Sequence, residues 1–195
     1  MGENMIRRCE WVPEDNEIYK DYHDTEWGVP LHDDNQLFEK IILDGVQAGL
    51  SWLIVLRKRA HYRKVYSNFD VKKVAGYSQE KIEELLKDKG IIRNRLKVNA
   101  SVSNASAFIK IQNEFGTFDK YIWGFVDGKT IMNKWRSLSE IPSRSEISDR
   151  MSIDLKKRGF KFVGTTICYA FMQAVGMVND HIIDCFRYEE VGEKS

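Results

Sequence analysis

Leu155-Lys-Lys-Arg-Gly-Phe-Lys-Phe-Val-Gly-Thr-Thr-Ile-Cys-Tyr-Ala-Phe-Met172 is the stretch that decides the fold. A helical run ends at Gly159, a short tight segment follows, and Gly164 closes it. Thr165 and Thr166 then open a new helix, whose first backbone N–H groups have no partner within the helix. Such a start attracts anions, phosphate among them. Lys156, Lys157, Arg158 and Lys161 crowd the same turn. Two readings fit: an ordinary αα-hairpin with a solvated basic rim, or a helical hairpin whose turn grips a nucleic-acid backbone. The second supplies affinity without sequence information.

Outward from this stretch the chain reads as helix after helix. Asp33 to Ala48 starts on acidic caps and repeats Leu37, Phe38, Ile41 and Ile42 at helical spacing. Ser51 can cap the next helix, whose stripe is Trp52, Val55, Leu56, Tyr62, Tyr66 and Phe69. Ser78 opens Gln79 to Lys87, and Gly90 stops it. Asn94 to Phe115 is a long helix ending at Gly116, and Thr117 to Phe125 a shorter one. Ser145 or Ser148 opens a helix to Arg158, and Gly164 to Val175 follows the quoted turn. Val126 to Ile131 suggests a small isolated hairpin, and Leu138 to Ser145 a loop. Short links without internal repeats predict an all-α fold: one compact orthogonal helical bundle over residues 1–195, with 1–7 and 189–195 as flexible ends.

Apolar residues make up 43% of the chain, enough for a proper core. The net charge of +1 excludes a bulk polycation, so any nucleic-acid contact comes from a local basic face. The run Arg57 to Lys64 interleaves with the apolar stripe and reads as a solvated helix face. No apolar stretch approaches the ~18–20 residues of a membrane span. The opening MGENMIRRCE lacks a secretory apolar segment, and Ile6 breaks a myristoylation pattern. The expectation is a cytoplasmic monomer.

The chain has three cysteines and four histidines, and two of each fall into pairs near its ends: Cys9 with His23, and His181 with Cys185. The late pair, at i and i+4, can share one face of a helical turn. Cys₂His₂ is a closed tetrahedral zinc set with no open position for chemistry. Two other readings stay open: small buried hydrophobes with scattered histidines, or a Cys9–Cys185 disulfide, which a reducing compartment disfavours. Cys168 lies on the apolar face of the last clear helix and is predicted to be a buried non-ligand.

Four stretches together resemble one family: Arg8-Cys-Glu-Trp11; Tyr22-His-Asp-Thr-Glu-Trp-Gly-Val-Pro30; Gln47-Ala-Gly-Leu-Ser-Trp52; and Lys156 to Gly164 continuing through Asn179-Asp-His181 to Cys185. Gly90-Ile-Ile-Arg93 matches as well. The chain resembles the DNA-3-methyladenine glycosylase I family of helix-hairpin-helix DNA glycosylases from about Arg8 to Cys185. That likeness implies one structural zinc per chain on Cys9, His23, His181 and Cys185. It implies excision of 3-methyladenine from double-stranded alkylated DNA by hydrolysis of the N-glycosidic bond, after the base is flipped into a pocket. It implies base contacts at Trp11, Tyr19, Tyr22, Asp44 and Trp52, and DNA contacts at Gly49, Leu50, Lys161, Gly164, Thr165 and Thr166.

The chemistry suits these residues. The damaged base is a cation and already a good leaving group, so no strong general acid is needed. Aromatic faces and a carboxylate attract it by cation–π and charge-assisted hydrogen bonding. Taken alone, Trp11 and Trp52 read as core packing, and Asp44 as a helix-surface acid. Asp44 is also a departure, since the family usually carries glutamate there. The charge survives with a side chain one methylene shorter. Asn179 stands where many relatives place a catalytic aspartate, and adjacent Asp180 is expected to point elsewhere. Asp44 is therefore the candidate catalytic residue. Two further functional readings remain: a non-catalytic zinc-stabilised DNA-binding module, or a glycosylase with altered base preference.

Overall fold

The computed structural model describes residues 6–192. Its helices are α1 (Glu17–Thr25), α2 (Asp34–Gln47), α3 (Trp52–Val65), α4 (Val71–Ala75), α5 (Gln79–Lys87), α6 (Arg95–Phe115), α7 (Phe118–Trp123), α8 (Glu146–Lys157), α9 (Thr165–Ala174) and α10 (Arg187–Gly192). Most start where a polar side chain takes up an orphan amide. Asn16, Asp33, Ser78, Asn94 and Thr117 each accept from the backbone N–H three residues on. Ser145 and Ser148 cap α8 reciprocally. Ser51 precedes α3 without a side-chain cap bond.

Helix α2 is the axis of the bundle. Every residue from Leu37 to Val46 is buried, and α3, α6, α7 and α9 pack around it. A helix surrounded on all sides cannot be amphipathic in the usual sense, so its polar members Glu39, Lys40 and Asp44 need partners inside. Phe38, Phe108 and Phe118 fill the space between α2, α6 and α7, the last two rings stacked at 4.0 Å. A second, smaller cluster joins the two ends of the chain through Cys9, Tyr22, Trp27, Ala174, Ile182 and Cys185.

Several expectations need correction. Residues 126–131 form no hairpin: β1 (Ile131–Met132) pairs in parallel with the distant β2 (Val178–Asn179). Helices α1, α4 and α10 were not predicted. At the chain's ends, Phe186 N–H donates to the Arg7 carbonyl, and Val191 is fully buried in α10. Residues 1–5 and 193–195 lie outside the described residues. The basic run on α3 is not wholly solvated, because Arg59 turns inward to Glu26 and Glu39. Among the described residues no helix is long and apolar enough to cross a membrane.

Candidate active site, metal cluster and nucleic-acid face

A cavity of about 260 Å³ opens between α1, α2, α3 and α9. Trp11, Tyr19, Tyr22, Asp44 and Trp52 all line it. Trp27, Gln47, Leu138, Ile141 and Gln173 line it too, and the sequence reading missed them. Trp27 and Gln47 sit inside the family-like stretches and could have been flagged there. Leu138 and Ile141 arrive from a loop distant in sequence and carried no signal. Trp11 meets Tyr19 and Trp27 edge-on, at 5.9 and 5.0 Å between ring centroids, and Tyr22 lies 5.5 Å from Trp52. Tyr19 also accepts the Leu53 N–H at the start of α3. The walls are thus rings held by rings, offering faces and edges to a flat guest.

Asp44 is 3% exposed, and its Oδ2 has no hydrogen-bond partner. Nε1 of Trp11 and of Trp52 are likewise buried and unpartnered. Unsatisfied buried polar atoms are costly in a native protein, and here three border one cavity. Burial pushes the Asp44 carboxyl up to about 7, against the pull of Lys40 and Arg59. Those cations belong to a charge network behind the cavity. Lys40 Nζ binds Glu26 at 3.0 Å and lies 4.8 Å over the Tyr22 ring. Arg59 bridges Glu26 and Glu39, and Arg63 also binds Glu39. Burial raises the Glu26 carboxyl, but Lys40 and Arg59 outweigh it and hold it below its usual range. Lys40 and Arg59 soften the cost of ionising Asp44 without cancelling it.

Cys9, His23, His181 and Cys185 are all buried, and their ligand atoms lie within 4.8 Å of one another. Cys9 Sγ is 3.5 Å from His181 Nδ1, and Cys185 Sγ is 3.4 Å from His23 Nε2 and 3.6 Å from His181 Nδ1. A tetrahedron with metal–sulfur and metal–nitrogen bonds of about 2.3 and 2.0–2.1 Å has mixed edges of about 3.5 Å. The other ring nitrogens are occupied: His23 Nδ1 faces Asp24 at 2.7 Å, and His181 Nε2 faces the Trp27 carbonyl at 3.0 Å. These partners set the tautomers that turn His23 Nε2 and His181 Nδ1 toward the cluster as lone-pair donors. Arg8 in turn grips Asp24. The contact between the two thiols pulls Cys185 far down against its burial, while Cys185 and burial push Cys9 up. The donor set, burial and spacing fit a metal ion. One expectation fails in detail: His181 and Cys185 sit in a turn rather than a helix, with Cys185 N–H donating to the Ile182 carbonyl. Gly28 leaves room beside them, since a Cβ there would lie 2.9 Å from His181 Nε2.

Asn179 and Asp180 do not line the cavity. Asn179 accepts from His181 N–H and donates to the Tyr188 carbonyl. Cys168 is buried away from the cluster, its Sγ 3.5 Å from the Val163 carbonyl oxygen.

Helices α8 and α9 form the hairpin around Gly159 to Gly164. Gly159 takes φ +97°, which only glycine adopts easily. Gly164 has an ordinary φ, and a Cβ there would meet nothing of the protein within 4 Å. Its smallness therefore has no use inside the fold. No side chain caps α9, so its first amides are left to the outside. Lys161 and Thr166 are exposed. The Thr165 hydroxyl instead turns inward to Asp149 and Ser148. Asn104 on α6 clamps the loop, accepting from Lys161 N–H at 2.8 Å and donating to its carbonyl at 3.0 Å. Gly49, at φ +79°, and Leu50 form an exposed turn between α2 and α3. Lys97 braces that turn by donating to the Val46 and Ala48 carbonyls, both at 2.7 Å.

The bundle thus presents an acid-bearing aromatic cavity and a helical hairpin whose second helix starts without a side-chain cap. Known proteins share this architecture. The Methyladenine glycosylase family profile matches residues 11–188. DNA-3-methyladenine glycosylase 1 of Escherichia coli is 49% identical over 183 residues, 94% of this chain and 97% of that protein. A crystal structure of 3-methyladenine DNA glycosylase I superposes with TM-score 0.90 at 49% identity, covering 92% of this chain and 98% of that one. The Staphylococcus aureus enzyme, described in terms of its 3-methyladenine recognition, matches with TM-score 0.89 at 32% identity, covering 93% and 96%. This chain belongs to the methyladenine glycosylase family.

Proposed function

We propose that this protein is a monofunctional DNA repair glycosylase that flips 3-methyladenine out of alkylated double-stranded DNA and hydrolyses its N-glycosidic bond. The observation that carries the reading is the unpartnered Asp44 carboxylate inside a cavity walled by Trp11, Tyr19, Tyr22 and Trp52. An unpaired buried anion among aromatic faces is complementary to a flat cation and poorly matched to a neutral base. The methylated purine departs as a neutral molecule, so the protein need not protonate it. Asp44 holds the base while a positive sugar develops, and DNA phosphates and Asp44 stabilise that sugar until water attacks it. The Cys9, His23, His181 and Cys185 cluster holds one structural zinc that joins the chain's ends and supports the cavity from below. The substrate is double-stranded, and the protein works as a monomer in the cytoplasm, where thiolates stay reduced. Single-turnover release of base from dimethyl sulfate-treated duplex DNA tests the reading. Binding without release favours the non-catalytic module instead.

The Gly159–Thr166 turn, with Gly49 and Leu50 on the neighbouring turn, contacts the DNA. The hairpin grips the backbone through amides and charge and does not read bases. Lys161→Glu is expected to weaken binding to all duplexes alike and to lower the salt slope of log K by about one to two contacts. Titrations at several salt concentrations measure this. Unchanged affinity and slope mean that the turn faces away from DNA.

A further inference from the structure

Asp180 is 1% exposed and outside the cavity, yet it is the most heavily bonded carboxylate near it. One oxygen accepts from Asn133 Nδ2 at 2.7 Å and Trp135 Nε1 at 2.8 Å. The other accepts from the Tyr169 hydroxyl and Gln173 Nε2, both at 2.8 Å. Asp180 is the acceptor in all four bonds, two on each oxygen. This decides the sense of the Gln173 amide. With the amide nitrogen held by Asp180, the amide oxygen is the end left to face the cavity that Gln173 lines. Turning the amide over would set oxygen against carboxylate and strand a donor.

We propose that Gln173 is a specificity-determining residue whose amide oxygen accepts from the exocyclic amino group of the bound purine, with Asp180 as the positioning residue that fixes that orientation. The inference rests on the cavity being the base pocket. Gln173 comes from α9 and Asp44 from α2, so the cavity presents acceptors from two independent helices. Adenine carries an amino donor at position 6, where guanine carries an oxygen acceptor. An acceptor locked in place rewards the first and repels the second, and a site built for a hydrogen bond rejects a base that cannot make it. Cation–π stacking cannot make this distinction, because 3-methyladenine and 3-methylguanine carry the same charge on similar rings. A freely rotating amide could not either, since it would offer nitrogen to guanine as readily as oxygen to adenine.

The test is single-turnover release of 3-methyladenine and of 3-methylguanine from methylated duplex DNA by wild type, Gln173→Leu and Gln173→Glu. Thermal melts serve as the folding control. Gln173→Leu removes the acceptor and is expected to slow 3-methyladenine release about tenfold while 3-methylguanine release holds or rises. The ratio of the two rates then narrows by about that factor. In Gln173→Glu, the neighbouring Asp180 favours a protonated carboxyl that donates to it and keeps an oxygen toward the cavity. This variant should retain the wild-type ratio even if the leucine variant folds poorly. A ratio unchanged in Gln173→Leu, whether both rates hold or both fall together, overturns the proposal. So does a ratio that collapses equally in Gln173→Glu. If wild type releases neither base, the glycosylase reading itself fails, and that outcome is distinct from a failure confined to Gln173.

Discussion

Protein purified without chelator is expected to carry close to one zinc per chain, and Cys185→Ala is expected to melt about 10–20 °C lower. Cys9 and His23 lie near one end of the chain and His181 and Cys185 near the other, so an ion held by all four would close a loop of nearly the whole sequence. Cross-links over such lengths restrict the unfolded chain by roughly 4–5 kcal/mol. For a chain of this size, 1 kcal/mol shifts the melting temperature by about 2–4 °C. The main core around α2 does not include the ligands, so the variant should keep most of its helical signal while the terminal cluster loosens. The cavity should suffer with it. Trp11 packs 5.4 Å from the His23 ring, and Trp27 lies 4.6 Å from His181. Base release should therefore fall in the variant even at temperatures where the bundle stays folded. Metal analysis and melting curves decide the matter. No zinc in the purified protein, together with an unshifted Cys185→Ala melt, sinks the assignment.

How far the molecule was legible in its sequence depends on whether the signal was local. The long helices α2 and α6 announced themselves through caps and periodic apolar residues, and Gly159 marked the hairpin turn through a conformation only glycine takes cheaply. Helix α1 did not, because its polar sequence is held by burying Tyr22 and His23 against the far end of the chain. The parallel pair Ile131–Val178 joins segments separated by several helices, and no local pattern encodes that. In the cavity, the aromatic residues and Asp44 were visible through their likeness to a known family. Gln173 was not, since its importance comes from Asp180 and the shape of the cavity. The same holds for Asp24 and the Trp27 carbonyl behind the histidines of the Cys/His cluster. Arg59 misled, because a basic residue on a basic helix gives no hint of buried carboxylate partners on two other segments.

Asp44→Asn is expected to make the protein more stable and much less active. The folded state raises the Asp44 pKa from 3.8 to about 7, chiefly through burial. A raised pKa means that the fold favours the protonated form. The stability this carboxyl contributes is full below pH 3.8, declines as pH rises toward 7, and stays reduced above it. At 1.36 kcal/mol per unit, the burial of an unpartnered charge costs at most about 4 kcal/mol at pH 8. Asparagine keeps the size without the charge, so the variant should melt on the order of 5–10 °C above wild type at pH 8, and by little at pH 4. Activity should move the other way. A hydrogen bond to a charged group is worth about 1.5–3 kcal/mol, so single-turnover release of 3-methyladenine should fall roughly tenfold to a hundredfold. In wild type, kcat/KM should rise with pH to a plateau as Asp44 ionises, with an inflection near 7 that the asparagine variant lacks. Asp44→Glu keeps the charge and adds the reach of the glutamate expected from the family resemblance, so it should retain or raise activity. Melts and base release measured side by side separate the two effects. If Asp44→Asn releases base as fast as wild type, the carboxylate does not hold the base. If the variant gains no stability at pH 8, the unpartnered Oδ2 of wild type is not a cost the fold carries for its function.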